Sequence, residues 1–305
     1  MKWSSLFSRS TVGLLTLWGA TGLGGAEPLK VVATTGMVGD MVARVAGERA
    51  TVEYLMGPGV DPHLYKATAS DVRKLQRADV IFYSGLFLEG KLQSILEGMG
   101  ERGRAAAAIS SGIDHARLLN PGDSGGHPDP HIWFDTALWA TCIPVVVATL
   151  TEAAPEFADY FKAQGDKVHA EMMALHQWAL AKVAELPAPQ RILVTSHDAY
   201  GYFGQAYGFQ VVGLQGISTV SEAALADMAQ LVDFIHANQV KAIFVESSVP
   251  HTTIERIAAD AKVVIGGELF SDAMGTPGQI ENGYDLGTYD GMVRHNITTI
   301  VEALK

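Results

Sequence analysis

Short apolar runs alternate along the chain with segments whose apolar positions recur every three or four residues, which predicts strands interleaved with helices. In the first half the strands are expected at Leu29–Thr34, Val52–Leu55, Val80–Tyr83 and Ala106–Ile109. Helices are expected between them at Met37–Ala46, Ala69–Gln76 and Phe87–Gly98. The second half repeats the pattern, with strands at Ile192–Thr195, Phe209–Gly213, Ala242–Glu246 and Val263–Ile265 and helices at Gly201–Tyr207, Glu222–Asn238 and Thr253–Ala259. Strands separated by helical spans pair in parallel, so the predicted class is α/β with two parallel sheets.

Between the halves, Phe157, Phe161, Val168, Met172, Leu175, Ala179 and Val183 form a helical stripe within a predicted helix from Pro155 to Glu185. Pro155 suits an early helical position, and Pro187 and Pro189 end the run. About 30 residues of helix span about 45 Å, enough to brace two lobes side by side. The expected organisation is therefore residues 1–26 apart, a lobe over 27–150, a linking helix over 151–187 and a second lobe over 188–305. A cleft would lie between the lobes, facing the loops at the carboxyl ends of the strands.

The 305 residues are 48% hydrophobic and 18% charged, a globular composition. Residues 1–26 carry Lys2 and Arg9, an apolar stretch from Thr11 to Ala20 and small residues at Gly24-Gly25-Ala26, which reads as a cleavable secretory signal. No later segment is expected to cross a membrane. Without the signal, 20 basic residues stand against 33 acidic ones, a balance that argues against nucleic acid as a partner. The one cysteine, Cys142, lies in the apolar stretch Trp139–Leu150 and reads as a buried hydrophobe; no lipid-acceptor cysteine follows the signal. These features predict a soluble exported monomer, located in the periplasm.

The chemistry concentrates in a repeated turn. Asp61-Pro62-His63-Leu64-Tyr65 and Asp129-Pro130-His131-Ile132-Trp133 each place a His after a proline, followed by an aliphatic and an aromatic residue. Proline fixes its own φ and biases its predecessor toward extended backbone, so each His is presented from a stiffened turn, as a metal ligand must be. His197, in Thr195-Ser196-His197-Asp198, and Asp272, in Glu268-Leu269-Phe270-Ser271-Asp272, follow predicted strands of the second half. Four candidate ligands thus fall in loops, two from each half. Three imidazoles and a carboxylate suit Zn(II), Mn(II) or Fe(II), and not calcium or Cu(I). His169 and His176, on the long helix, read as solvated or packed, and His127 as a loop residue.

These runs resemble the metal-binding solute receptors of ABC importers, the zinc, manganese and iron receptors called cluster A-I or cluster 9. The resemblance rests on Val60–Tyr65, Pro128–Asp135, Leu269–Ala273, Thr195–Tyr200, Val245–Ser248 and Gly287-Thr288-Tyr289. The run Gly267–Gly275 is especially similar to a treponemal member. The resemblance implies two (β/α)4-like lobes joined by one long rigid helix. It implies ligands at His63, His131, His197 and Asp272, a divalent transition metal as cargo, and a membrane permease with a separate ATPase as partner. Many manganese and iron receptors carry Glu at the third position, so His197 moves the site toward zinc. Zinc receptors often have a long His-rich loop before the second ligand, and here Asn120–Pro130 is short, which points the other way.

Gly85–Leu92 matches the first seven positions of a phosphate-binding loop, but Leu92 stands where a Ser or Thr is needed and Glu89 brings negative charge to the anion's place. The run is read instead as the start of a helix packing Leu86, Leu88 and Leu92. Two other functions compete with capture of a metal. A secreted zinc-dependent hydrolase would need an open zinc position and a base, with Asp198 and Glu246 the evident candidates. A surface adhesin would want an anchor. Because imidazole coordinates only when neutral, metal affinity is expected to fall as pH drops below about 6.

Overall fold

The computed structural model describes residues 27–121 and 126–305, so the expected signal over 1–26 lies outside the described residues. The first half contains β1 (Leu29–Ala33), α1 (Gly36–Ala46), β2 (Ala50–Tyr54), α2 (Ala69–Arg77), β3 (Val80–Tyr83), α3 (Lys91–Glu101) and β4 (Ala106–Ala108). The four strands form one parallel sheet in the order β2-β1-β3-β4. Then come α4 (Thr136–Ala140), α5 (Ile143–Ala153) and the long α6 (Ala158–Val183). The second half contains β5 (Ile192–His197), α7 (Gly201–Tyr207), β6 (Gln210–Gln215), α8 (Leu225–Ala237), β7 (Ala242–Glu246), α9 (Thr252–Ala261) and β8 (Val264–Leu269). A short hairpin of β9 (Ile280–Glu281) and β10 (Tyr284–Asp285) precedes the closing helix α10 (Tyr289–Leu304). Here β5 pairs with β6 and β7 with β8, all in parallel, and β5 runs beside β7. The α/β class with parallel sheets and one long bracing helix is therefore observed.

The stripe predicted for the linker is the buried face of α6: Phe161, Val168, Met172, Leu175, Ala179 and Val183, with Gly165 among them. Its 26 residues span about 39 Å. A Cβ on Gly165 would lie 2.6 Å from Val147, so glycine lets α5 pack closely on α6. The main apolar cluster runs without a break from Val31, Phe82 and Trp139 through α6 to Leu193, Phe244 and Ile297. Smaller clusters cover the outer faces of the two sheets, against α2 and α3 on one side and α8 and α9 on the other. The two halves thus share one core.

Four expectations need correction. The helix expected from Phe87 begins only at Lys91, because Leu86 and Phe87 adopt left-handed φ of 55° and 69° in a turn. That turn closes around Glu89, whose buried carboxylate accepts from Thr34 Oγ1 at 2.7 Å and from the N–H groups of Ser84 and Gly85. The amides a phosphate would need are taken by the chain's own acid. Second, residues 136–153 do reach the length and hydropathy of a membrane-spanning helix. The run is broken after Ala140, however, and both pieces pack on α6 as core. Third, α10 occupies a segment with no predicted element. Fourth, β5 continues through His197, which is a strand residue and not a loop residue.

Candidate metal centre

The two Asp-Pro-His turns are built alike. In the first, Asp61 Oδ1 accepts the His63 backbone N–H at 2.8 Å; in the second, Asp129 Oδ1 accepts that of His131 at 2.9 Å. An aspartate that bonds the amide two residues on makes an Asx turn, and the intervening proline stiffens it. The motif therefore fixes the backbone from which each imidazole projects. Beyond that the copies differ. Asp129 Oδ1 also lies 2.7 Å from His131 Nδ1, whereas Asp61 turns its other oxygen to Thr219 Oγ1, 2.5 Å away.

His197 ends β5, in register with Gln215 of β6. Its backbone N–H donates to Glu246 Oε1 at 2.9 Å, and its Nδ1 lies 2.6 Å from Glu246 Oε2. Glu246 is the last residue of β7, so two adjacent strand ends fix this imidazole between them. Asp272 stands three residues past β8 in a pinned loop. Asn296 of α10 accepts from the Phe270 N–H at 2.9 Å and donates to the Phe270 carbonyl at 2.7 Å. Trp133 Nε1 donates to the Ser271 carbonyl at 3.0 Å.

These elements bring His63, His131, His197 and Asp272 together, with one ligand atom from each lying within 4.8 Å of all the others. His63 Nε2 is 3.3 Å from His131 Nε2. His131 Nε2 is 3.3 Å from Asp272 Oδ1, and His197 Nε2 is 3.3 Å from Asp272 Oδ2. His131 and His197 are fully buried and Asp272 nearly so, and the His63 side chain is only 4% exposed. Both Asp272 oxygens and His197 Nε2 are buried and lack a well-directed hydrogen bond. Burying such groups unsatisfied is costly, and a cation placed among them would satisfy all of them at once. Carboxylates at Nδ1 of His131 and His197 leave Nε2 as the donor toward the cluster, the usual arrangement around a metal-binding imidazole.

The electrostatics fit a cation site. Burial pushes His63 down to about 3, with His131 and His197 adding to the effect. Burial would also lower His131, but Asp129 and Asp272 outweigh it and lift that imidazole to about 9. For His197, Glu246 and Asp272 overcome burial and hold it well above its ordinary value. Burial alone would raise Asp272, yet His197, His131 and His63 hold it well below the usual carboxylate range. Imidazoles shifted up beside a carboxylate shifted down mean that the cluster favours positive charge, which a divalent cation can supply in place of protons.

The other singled-out residues lie elsewhere. His169 is exposed, and His176 packs its ring 5.6 Å from Tyr207 on α7. His127 stacks on Phe87 at 4.4 Å, in the wall of a half-open cavity of about 470 Å³ that reaches His63. Cys142 is buried. Reading the sequence missed the positioning roles of Asp129, Glu246 and Asn296. A signal existed for Asp129, which is part of the repeat; Glu246 was weighed only as a base, and Asn296 fell in a segment without an assigned element.

Two α/β lobes on a rigid helix, with a buried cluster of three imidazoles and one carboxylate at their strand ends, define the class of two-lobed solute-binding proteins. The model of the family described as zinc-uptake complex component A, periplasmic, matches residues 31–303, and the chain belongs to that family. It is 44% identical over 284 residues to the manganese-binding lipoprotein MntA of Bacillus subtilis, covering 92% of this chain and 90% of that protein. It is 45% identical over 284 residues to the zinc-binding protein TroA of Treponema pallidum, covering 91% and 89%. The solved structure of periplasmic TroA superposes with a TM-score of 0.85 at 43% identity, covering 91% of this chain and 99% of that one. Fe(III)-bound YtgA of Chlamydia trachomatis gives a TM-score of 0.77 at 26% identity, covering 90% and 97%.

Proposed function

We propose that this protein captures one divalent transition metal between its lobes and delivers it to the membrane permease of an ABC importer whose ATPase is a separate protein. His63, His131, His197 and Asp272 are the ligands in this reading. The observation that carries it is the convergence of three imidazole nitrogens and a carboxylate oxygen on one enclosed point. Four protein ligands fill a tetrahedral sphere, which suits holding a cargo and leaves no open position for an activated water. Glu246 faces His197 with both oxygens, one accepting its backbone N–H and the other 2.6 Å from Nδ1, which suits orienting that ring more than acting as a base. Zinc, manganese and iron(II) all accept this donor set. The relatives span the same range: by name one binds manganese and another zinc, and a third was solved with Fe(III). The lobes are assigned to 27–150 and 188–305, with 151–187 as the link. The leader over 1–26 and the family's description support a periplasmic location.

The test is elemental analysis of purified protein with and without the substitutions His63→Ala and His131→Ala. The wild type should carry about one transition metal per chain, and the double variant none, with its circular dichroism unchanged. Unchanged metal in the folded double variant would remove these residues from the site.

A further inference from the structure

Although the His131 turn precedes the linking helix in sequence, hydrogen bonds from the residues around His131 attach that turn to the second half. Tyr202 of α7 donates its hydroxyl to the Asp129 carbonyl at 3.0 Å and accepts the Leu119 N–H at 3.0 Å. Tyr289 of α10 donates to the Trp133 carbonyl at 2.6 Å, and Trp133 donates in turn to the Ser271 carbonyl beside Asp272. Thr136 Oγ1 and Tyr207 OH share a bond of 3.2 Å. Three of the four cluster residues thus sit in one cross-braced body. The His63 turn is tied differently. It is anchored to the first half through Tyr65, whose hydroxyl bonds Asp71 at 2.8 Å. Among the described residues, and outside the cluster itself, it reaches the second half through a single hydrogen bond, from Thr219 Oγ1 to Asp61 Oδ2. Thr219 belongs to the segment after β6 that lines the cavity opening onto His63. The same Asp61 carboxylate holds the His63 amide.

We infer that Thr219 is a positioning residue that sets how long metal is retained: its bond to Asp61 latches the His63 turn against a body already carrying His131, His197 and Asp272. The inference rests on the metal-capture reading above. Asp61 couples the latch to the ligand, because one of its oxygens holds the His63 amide while the other accepts from Thr219 across the cleft.

The test uses full-length mature protein loaded with Co(II), whose visible absorption reports coordination, and follows release into excess EDTA by stopped flow. Thr219→Val keeps the shape and removes the donor, whereas Thr219→Ser keeps the donor. Losing a hydrogen bond to a carboxylate should speed release about tenfold in Thr219→Val. Thr219→Ser should stay within about twofold of wild type, and the starting cobalt spectra should coincide, because the ligands are intact. Release from Thr219→Val at the wild-type rate overturns the latch, and so does equal acceleration in both variants. A wild type that takes up no cobalt removes the metal reading beneath it; a wild type that binds cobalt with an insensitive Thr219→Val removes the latch alone.

Discussion

Asp129 and Glu246 decide how protons compete with metal. By facing Nδ1 of His131 and His197 they make both imidazoles better bases, so in the proposed site each would hold a proton more tightly as well as a metal. His131 is lifted from 6.5 to about 9, so metal must expel a proton from it at neutral pH. Apparent zinc affinity should therefore keep climbing as pH rises through about 9 instead of levelling off just above 6, and titrations in chelator-buffered zinc would measure this. A plateau already reached at pH 7 would contradict it. The sign for the metal-free fold is the opposite. A raised imidazole contributes stability that is present below 6.5 and lost as pH rises through about 9. Replacing Glu246 with Gln should weaken zinc binding by about 10- to 100-fold while the fold persists, read by competition titration; unchanged affinity would make the Glu246 contact incidental. At this scale the sequence was informative about the residues that converge, because proline and aspartate flank two of them. It was silent on the orienting partner of His197, since Glu246 is 49 residues away and meets it only through strand pairing.

At the scale of elements, the strands aim the site. His197 is held where β5 passes β6, and glycine at 213 makes that approach feasible: a Cβ there would lie 2.4 Å from the Asp198 nitrogen and 2.6 Å from the His197 carbonyl carbon. Gly213→Ala should cost about 1–3 kcal/mol in denaturant unfolding, and should also weaken metal binding by displacing His197. Wild-type affinity in a destabilised variant would separate packing from aiming. Periodicity located most elements well, because a buried face imposes its repeat on the sequence. It was equally present in α10, where Tyr289, Met292, Val293, Asn296, Ile297, Ile300, Val301 and Leu304 recur at steps of three and one. That helix was legible in principle; Asn296 in its apolar face obscured the stripe, and Asn296 is the residue that clamps the Phe270 loop. The late start of α3 was not legible, because it depends on Glu89 drawing Ser84 and Gly85 around itself.

For the whole molecule, one apolar cluster threads both halves along α6, so the halves should not melt separately. Calorimetry of the metal-free protein should give one transition with equal calorimetric and van't Hoff enthalpies; two resolved transitions would contradict a shared core. The sequence announced the two-lobed plan through repeated strand–helix alternation and a striped linker. It could not announce that the His131 turn is braced by the opposite half, since that depends on Tyr202, Tyr207 and Tyr289 reaching across. The central claim is that these four residues hold one metal, and X-ray absorption at the zinc edge of the loaded protein tests it most directly. The account predicts nitrogen and oxygen neighbours at about 2.0–2.2 Å with the outer-shell scattering of three imidazoles. Sulfur in the first shell, or fewer than three imidazoles, would contradict it.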